Sequence, residues 1–338
     1  MPTPRILITG GLGYIGSHTA VELIENGYEP IIIDNLSNTR IEVLDGIEKI
    51  TGVRPVFYQT DMRDKAAVKN FFDKEKVDGV IHFSAFKAVG ESMHKPLAYY
   101  ENNIAALVIL LQELTLRGIH AFIFSSSCTV YGQADELPIT EKAPVKPAES
   151  PYGYTKQVGE IIIKDAVRAT DLKAIALRYF NPIGAHSSAL IGELPLGVPQ
   201  NLVPFITQTA AGIRHELSVF GNDYPTPDGT AIRDYIHVVD LAKAHIVALE
   251  RLLTHKNKAS YECFNIGTGM GSSVLEIIQT FEKVSGQPLP HKIVDRRAGD
   301  VVAAYADTTL ANKELGWKAE KTLEEALHSS WKWQQSLG

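Results

Sequence analysis

The 338-residue sequence contains little cysteine: Cys128 and Cys263 are its two thiols, and they stand far apart. Two cysteines cannot supply a disulfide framework. The sequence also has no CxxC or HExxH spacing of the kind that indicates a zinc site. We therefore expect small, buried thiols in a reducing compartment and no bound metal.

Long hydrophobic runs and an excess of basic residues are also missing. The longest apolar stretch, 104–111, is far shorter than the ~20 residues that span a bilayer. The segment after Met1 enters a strand pattern rather than that of a signal peptide. Lys and Arg number 33 against 39 Asp and Glu, a net charge of −6 that gives no general attraction for nucleic acid or anionic lipid. We expect a cytoplasmic protein with no nucleic-acid or membrane partner.

Short β-branched runs alternate with longer helical patterns in the first half of the chain. Near-continuous apolar runs suit strands buried on both faces, and strand–helix repeats imply right-handed crossovers. The pattern predicts an α/β fold with a doubly wound parallel sheet of the Rossmann type. Strands are predicted at 5–9, 29–34, 55–60, 79–83, 121–125 and 174–178, and helices at 15–26, 40–51, 65–74, 97–117 and 152–169.

After residue 180 the sequence changes character. A stretch rich in Gly, Pro and Ser, 182–201, precedes shorter elements separated by loops. We expect a dinucleotide-binding domain at 1–180 and a second, smaller α/β domain for substrate at 181–338. Some segments within 235–266 are candidates to return to the first sheet, so the boundary is expected to be interleaved.

A glycine-rich turn, 10–16, lies between the first strand and the first helix. Its glycines permit a tight turn and a close approach of the backbone to a pyrophosphate at the helix N-terminus. Asp34 ends the second strand, 18 residues beyond Gly16, where a carboxylate accepts bonds from adenosine ribose and repels a 2′-phosphate. NAD is therefore expected rather than NADP. Asp61 ends the third strand and either accepts a bond from adenine or caps the next helix.

Tyr152 and Lys156 are four residues apart, which places them on one face of a predicted helix. A nearby ammonium favours phenolate, so we expect the pKa of Tyr152 to be lowered from ~10 towards neutrality. Tyr152 is then a general base for a sugar hydroxyl. Ser125, Ser126 and Ser127 end a central strand at the ligand edge of the sheet. A hydroxyl there either shares the tyrosine's proton or caps loop backbone.

Together these residues resemble the extended short-chain dehydrogenase/reductase family, and within it the sugar-nucleotide epimerases, along nearly the whole chain. The matching segments are 9–16, 34–38, 87–92, 125–132, 150–156, 178–182, 220–224, 233–238 and 297–300. The resemblance implies inversion at C4 of UDP-hexoses, interconverting UDP-glucose and UDP-galactose through a transient 4-keto sugar. It also implies a tightly bound NAD and a homodimer.

The same resemblance implies catalytic, cofactor-binding and substrate-binding roles for individual residues. Tyr152 is implied as the base, Ser127 as its partner on the same substrate oxygen, and Lys156 as the third catalytic residue. The expected NAD site comprises Gly10, Gly13, Tyr14, Ile15, Gly16, Asp34, Asn35, Asn38, Asp61, Met62, Phe83, Lys87, Asn102, Tyr152, Lys156 and Phe180. The expected UDP-sugar site comprises Ser127, Asn181, Asn201, Leu202, Phe220, Arg233, Arg297, Asp300 and Ala304.

Two features of this set carry a chemical expectation. An acidic chain must hold a doubly anionic diphosphate with a few placed cations, and Arg233 and Arg297 meet that need. In the family a tyrosine at the position of Ala304 narrows the pocket around the C2 substituent of the sugar. Alanine implies room for UDP-N-acetylglucosamine and UDP-N-acetylgalactosamine, unless Tyr305 is shifted by one residue and fills the space.

Two other functions stay open. Sugar-nucleotide 4,6-dehydratases resemble Thr-Asp-Glu-Val-Tyr-Gly where this chain has Ser-Cys-Thr-Val-Tyr-Gly at 127–132, so both acids are missing. A regulator that senses NAD without turnover needs neither Tyr152 nor Lys156. Their joint presence with Ser127 favours an enzyme.

Overall fold

A computed structural model describes residues 3–297 and 300–338 of the chain. Its strands are β1 Arg5–Thr9, β2 Glu29–Asp34, β3 Val56–Gln59, β4 Gly79–His82, β5 Ala121–Ser125, β6 Lys173–Tyr179, β7 Asn181–Ile183, β8 Leu217–Phe220, β9 Ile232–Arg233, β10 Tyr235–His237, β11 Tyr261–Ile266, β12 Ser272–Ser273, β13 His291–Val294 and β14 Ala303–Ala304. Its helices are α1 Tyr14–Glu25, α2 Val43–Thr51, α3 Lys65–Lys74, α4 Val89–His94, α5 Pro96–Tyr100, α6 Ala106–Arg117, α7 Pro151–Ala169, α8 Leu202–Ala210, α9 Val238–Leu253, α10 Val274–Ser285, α11 Thr309–Glu314 and α12 Leu323–Ser336.

The central sheet is parallel, with strand order β11-β6-β5-β4-β1-β2-β3. Ile6, Ile31 and Phe122 are fully buried, as expected for strands covered on both faces. The chain runs outward from β1 to β3 and then returns to β4 on the other side of β1. Ligands bind at the carboxyl ends of strands where the order reverses in this way. The predicted doubly wound Rossmann-type sheet is confirmed.

Segments from the second half of the chain complete this sheet and its cover. Strand β11 pairs with β6 along its whole length. Helix α9 packs beside α1, and its buried Leu241 and Leu249 join the same apolar cluster as Ile8 of β1. The division of the chain at residue 180 stays a prediction. Strand β11 and helix α9, both from beyond residue 180, belong to the first sheet and to the layer that covers it.

A second group of elements builds a smaller layer around its own apolar cluster. Here β8 pairs with β13, and β9 lies between β12 and β14. Helices α8, α10 and α12 close over these strands and bury Val203, Ile206, Phe281 and Leu327. This layer adjoins the central sheet at β7 and β10, which pair in parallel. Strand β7 follows β6 almost immediately in the chain.

The prediction of one regular helix at 97–117 is wrong. The structure has α5, then a π-helical segment, Glu101–Ala105, and then α6. A π segment widens the turn by one residue and is frequent at functional sites. Asn103 lies in this wider turn, where its Oδ1 accepts the Phe86 N–H at 2.8 Å. Its Nδ2 donates to Thr155 Oγ1 of α7 at 3.0 Å. These hydrogen bonds from Asn103 to a loop and to α7 favour the π turn over the regular α-helical period.

Membrane-spanning helices and metal clusters are not found among the residues that the structure describes. No helix in that part of the chain is long and apolar enough to cross a bilayer. Within the same residues, no three His, Cys, Asp or Glu side chains gather to hold a metal ion. Cys128 and Cys263 are both free.

The start of α1 generates a test of the glycine-rich turn. A Cβ added at Gly16 would lie 2.5 Å from the carbonyl oxygen of Gly10 and 2.8 Å from the Cα of Gly11, both backbone atoms. We expect Gly16→Ala to lower the free energy of unfolding by about 1–3 kcal/mol, because the backbone cannot yield as a side chain would. Urea unfolding of the purified variant measures this change.

Gly90→Ala is the matched control, since Gly90 also lies in a helix. A Cβ there would meet its first neighbour, Gln200 Oε1, at 4.0 Å. Alanine is the better helix former, so stability should be unchanged or higher by up to about 1 kcal/mol. Equal losses in the two variants would contradict the close backbone contact at Gly16.

Candidate active site

Tyr152 and Lys156 lie together on α7, which starts immediately beside the carboxyl end of β5. The hydroxyl of Ser150 caps this helix by accepting the Gly153 N–H at 3.1 Å. Tyr152 is 8% exposed and Lys156 is 5% exposed. Lys156 Nζ lies 5.9 Å from the centroid of the Tyr152 ring and donates to the Ser125 carbonyl oxygen at 2.7 Å. The four-residue spacing therefore does bring the phenol and the amine to one place.

The expected low pKa of Tyr152 is wrong for this structure. Burial raises the pKa of Tyr152 well above its ordinary value, Tyr179 adds to the rise, and the neighbouring Ser127 hydroxyl acts in the opposite direction. Burial also lowers the pKa of Lys156 to about 8, although Glu160 raises it. Because loss of hydration disfavours the charged form of each group, the spacing alone does not set the pKa.

The serines at the end of β5 have three different partners. The Ser125 hydroxyl pairs with the Tyr179 hydroxyl, and Ser126 Oγ donates to Glu160 Oε1 at 2.6 Å. Ser127 Oγ accepts the Thr129 N–H at 3.2 Å and so caps the short 3-10 helix that follows. The capping role considered for these serines therefore holds for Ser127, which also lies beside the Tyr152 phenol.

Tyr179 was not assigned a role from the sequence. It ends β6, the strand next to β5, so its side chain arrives at the same edge of the sheet. It is half-buried, and loss of hydration raises its pKa to about 12. The signal that could have found it is its position after a buried strand, next to Phe180 and Asn181.

The glycine-rich turn has the features that a dinucleotide requires. Gly10 has a φ of +68°, a conformation that L side chains rarely adopt. Gly13 is the N-cap of α1 and has no side chain to occupy the first N–H groups of the helix, which can bind phosphate. Asp34 is buried beside the turn, where it accepts the Leu12 N–H at 3.2 Å and the Thr39 hydroxyl at 2.8 Å. The residues present therefore fit NAD.

Asp61 does not cap the next helix, so that interpretation was wrong. Asp64 is the N-cap of α3 and accepts the N–H groups of its first turn. Asp61 instead accepts from Asn35 Nδ2 at 3.1 Å and from Arg63 at 2.8 and 3.0 Å. These bonds, with that from Arg63 largest, hold the pKa of Asp61 well below its ordinary value. Asn38 is exposed in the loop between β2 and α2.

Glu193 joins the expected cofactor and substrate residues, and sequence reasoning missed it. Its Oε1 accepts from Lys87 Nζ at 2.9 Å and from Asn201 Nδ2 at 2.7 Å. Lys87 Nζ also lies 5.8 Å from the centroid of the Tyr14 ring. Trp333 Nε1 donates to the Glu193 carbonyl oxygen at 2.9 Å and fixes this part of the loop. In the sequence, Glu193 is a single acid within a Gly- and Pro-rich loop, and no motif or spacing identifies it.

The residues expected at the diphosphate form a second cluster. Arg297 Nη2 lies 2.8 Å from Asp300 Oδ1, and Arg233 Nη2 lies 3.5 Å from the same oxygen. The Arg297 guanidinium lies 5.5 Å from the centroid of the Phe220 ring. Ala298 and Gly299, within the matching segment 297–300, lie outside the described residues. One carboxylate thus holds both cations that the sequence assigned to the diphosphate.

Ala304 is buried in β14, beside Arg233 in strand register. It shares an apolar cluster with Phe180 and the 3-10 helix after β5. Tyr305 follows β14, and a Cβ added at Gly271 would lie 3.0 Å from its ring. The alternative in which Tyr305 fills the space of a larger side chain at 304 stays a prediction.

The remaining expected residues lie at strand ends, at helix starts, in connecting segments or in the π segment. Their places are as follows: Ile15 and Gly16 in the first turn of α1, Met62 buried between β3 and α3, Phe83 after β4, Asn102 in the π segment, Phe180 between β6 and β7, Asn181 at the start of β7, and Leu202 at the start of α8. Asn103, beside Asn102, was missed although it connects the loop before α4 to α7.

The chain is similar to known proteins over almost its whole length. Residues 7–329 match a family model described as GDP-mannose 4,6 dehydratase. The chain is 50% identical to the UDP-glucose 4-epimerase of Bacillus subtilis (strain 168), covering 98% of this chain and 97% of that protein. A solved UDP-glucose 4-epimerase from Bifidobacterium longum in complex with NAD+ and UDP has a TM-score of 0.95 and 46% identity, covering 98% of each chain. The UDP-Glc/GlcNAc 4-epimerase of Campylobacter jejuni has a TM-score of 0.84 and 35% identity, covering 98% of this chain and 99% of that chain.

Proposed function

We infer the function of this chain from one premise: the chain belongs to the UDP-glucose 4-epimerases of the extended short-chain dehydrogenase/reductase family. It is an NAD-dependent isomerase that inverts C4 of UDP-hexoses, interconverting UDP-glucose and UDP-galactose through a transient 4-keto sugar. Bound NAD supplies the hydride chemistry at C4. The observation that supports this function most directly is that Tyr152, Lys156 and Ser127 lie together at the carboxyl end of β5, on the same edge of the parallel sheet as the uncapped start of α1.

Side chains of the protein accept and donate the protons of this reaction. Tyr152 accepts the proton of the 4-hydroxyl, and Ser127 hydrogen-bonds the same oxygen. Lys156 places an ammonium 5.9 Å from the centroid of the phenol ring, and a nearby cation favours phenolate. Gly13, Asp34 and Lys87 are the residues that would hold the dinucleotide.

The hold on the substrate is expected to be uneven along its length. Arg233 and Arg297 bind the diphosphate, and Phe220 lies against the uracil ring. Around the hexose, the small side chain of Ala304 leaves space. A firm grip on UDP together with a loose sugar pocket lets the 4-keto sugar present either face without leaving the site.

A 4,6-dehydratase is the second candidate, because the matching family model carries that description. Elimination needs an acid and a base at the end of β5, where this chain has Cys128 and Thr129. Burial raises the pKa of the Cys128 thiol to about 11, which makes it a poor proton donor at neutral pH. The residues at this position therefore favour the epimerase.

Incubation with UDP-galactose, without added cofactor, tests the reaction itself. UDP-glucose should accumulate with no net NADH, because the oxidation at C4 is reversed within each turnover. Deuterium placed at C4 should remain at C4 in ordinary water. A 4-keto-6-deoxy product would identify a dehydratase, washout of label would exclude direct hydride return, and bound NAD without turnover would indicate a sensor.

Tyr152→Phe tests the base. Loss of the phenolic oxygen should lower kcat by a factor on the order of 10²–10⁴ while leaving the melting temperature and NAD content near those of the wild type. Tyr154→Phe is the matched control, since Tyr154 lies on the same helix but is half exposed. Comparable activity in the two variants would eliminate Tyr152 as the base.

Ala304 extends the proposal to N-acetylated substrates. Spare volume beside the sugar should admit the acetamido group of UDP-N-acetylglucosamine and UDP-N-acetylgalactosamine, and Ala304→Tyr should exclude them by steric overlap. We expect kcat/KM for the acetylated pair to fall at least ~10²-fold in Ala304→Tyr, with little change for the plain hexoses. Ala304→Ser, which stays small, should keep both activities. Wild-type enzyme inactive on the acetylated pair would refute this extension.

The proposed homodimer rests on apolar side chains exposed on adjacent helices. Met93 of α4, Leu97 of α5 and Ile161 of α7 are each more than half exposed, and Tyr154 of α7 is half exposed. Exposed apolar groups clustered in this way mark interaction sites, and a second copy of the chain is the proposed occupant. A cytoplasmic location is proposed as well, because both cysteines are unpaired thiols.

Charge on this face should separate the proposed dimer. We expect a dimer for the wild type at micromolar concentration in sedimentation equilibrium, and a monomer for the double variant Leu97→Glu, Ile161→Glu. Leu116→Glu is the control, since Leu116 is as exposed as Leu97 but lies at the far end of α6. A monomeric wild type would contradict the proposal.

A further inference from the structure

A buried carboxylate lies one turn beyond Lys156 on α7. Glu160 follows Tyr152 and Lys156 at the same four-residue interval, so all three share one face of the helix. Its Oε1 accepts from Ser126 Oγ at 2.6 Å and from Arg178 Nε at 2.8 Å. Its Oε2 accepts from Arg178 Nη2 at 2.6 Å and from the Tyr261 hydroxyl at 3.0 Å.

This carboxylate is ionised and fully engaged. Glu160 and Arg178 are each 3% exposed. Burial alone would raise the pKa of Glu160, but the bonds and charge of Arg178 outweigh it and hold the pKa below its ordinary value. An ionised carboxylate has about four acceptor positions, and four hydrogen bonds from three other residues, Ser126, Arg178 and Tyr261, use them here. Glu160 is therefore a fixed point from which neighbouring groups are positioned.

The group that connects this point to the reacting centre is Ser126. It is preceded by Ser125, whose carbonyl oxygen binds Lys156 Nζ, and followed by Ser127. The end of β5 is thus attached to α7 twice, by a backbone bond before Ser126 and by the Ser126 hydroxyl itself. Both attachments precede Ser127 and determine where it lies relative to α7.

The same ion pair reaches the chain on the other side of Ser127. Arg178 Nη1 donates to the Tyr131 hydroxyl at 3.0 Å. That hydroxyl donates in turn to Asn265 Oδ1 of β11 at 2.6 Å. Tyr131 ends the 3-10 helix that Ser127 caps. The chain before and after Ser127 is therefore anchored to one buried pair.

We propose that the hydrogen bond from Ser126 to Glu160 positions Ser127 against Tyr152, so that Ser126 and Glu160 are positioning residues of the epimerase. The inference rests on the function proposed for Tyr152 and Ser127. A hydroxyl–carboxylate bond is charge-assisted and short, which makes it a stiff connection. Displacement of a catalytic group by ~1 Å lowers a rate by up to ~10²-fold, so loss of this connection should act on the chemical step.

Ser126→Ala removes this connection and leaves the ion pair and the backbone in place. We expect kcat to fall about 10- to 100-fold, with KM for UDP-galactose, the Kd of UDP and NAD content within about twofold of the wild type. Ser126→Thr, which restores a hydroxyl at this position, should recover most of the lost kcat. This split separates positioning from binding.

Tyr261→Phe is the matched control. It removes another single hydroxyl donor from the same carboxylate, but Tyr261 lies on β11 and precedes no reacting group. We expect a loss of melting temperature similar to that of Ser126→Ala, with kcat within about twofold of the wild type. Equal kcat losses in the two variants, or wild-type kcat in Ser126→Ala, would overturn the proposal.

Crystal structures of the wild type and Ser126→Ala supply a readout that does not need turnover. Ser127 Oγ should move relative to the Tyr152 hydroxyl by about 1 Å in the variant, since one of its two attachments to α7 is gone. An unchanged Ser127 would refute positioning even if activity falls. A wild type that does not convert UDP-galactose would refute the proposed function, while the crystal comparison would still decide the positioning.

Discussion

The ion pair between Glu160 and Arg178 is the interaction on which the reacting edge of this molecule depends. It joins α7 to β6 in the interior, across the end of β5, so three elements that carry side chains of the site share one charged contact. Removing one partner of such a pair leaves an uncompensated buried charge and costs about 3–5 kcal/mol. The geometry around Tyr152 and Ser127 is therefore linked to the stability of the fold, and neither can be altered far without the other.

Burial fixes the orientation of Tyr152 and Lys156, but it also disfavours the charged form of each side chain. The packing that fixes Tyr152 and Lys156 also removes water from both, which raises the pKa of the phenol and lowers that of the amine to about 8. A pair that is exposed would ionise more easily but would lack a fixed orientation. Glu160 reduces this conflict on the side of the amine, because its charge favours the ammonium form of Lys156. The same carboxylate thus contributes to position and to charge.

Local patterns in the sequence predicted the sheet and the proximity of Tyr152 to Lys156, because both depend on short intervals. Strands β1, β2 and β5 and helix α3 have the predicted bounds, and Tyr152 and Lys156 meet as their spacing requires. Contacts between distant residues left no such pattern. Lys87 binds Glu193 across 106 positions, and Ser126 binds Glu160 from another element. The π segment and the cap of α3 were missed for a related reason: each is decided by which side chain reaches a particular backbone group.

Two exposed cations of the expected cofactor and substrate sites, Lys87 and Arg297, each lie against a less exposed carboxylate. Arg297 is more than half exposed at its side chain, whereas its partner Asp300 is 14% exposed. Lys87 and Glu193 show the same contrast, at 54% and 12%. In both pairs the carboxylate is the more buried member and the cation the more exposed one. Each ion pair restricts a long cationic side chain before any ligand is bound, which would reduce the side-chain entropy lost on binding an anion there. The acids that make the chain negative overall act locally as supports for its positive sites.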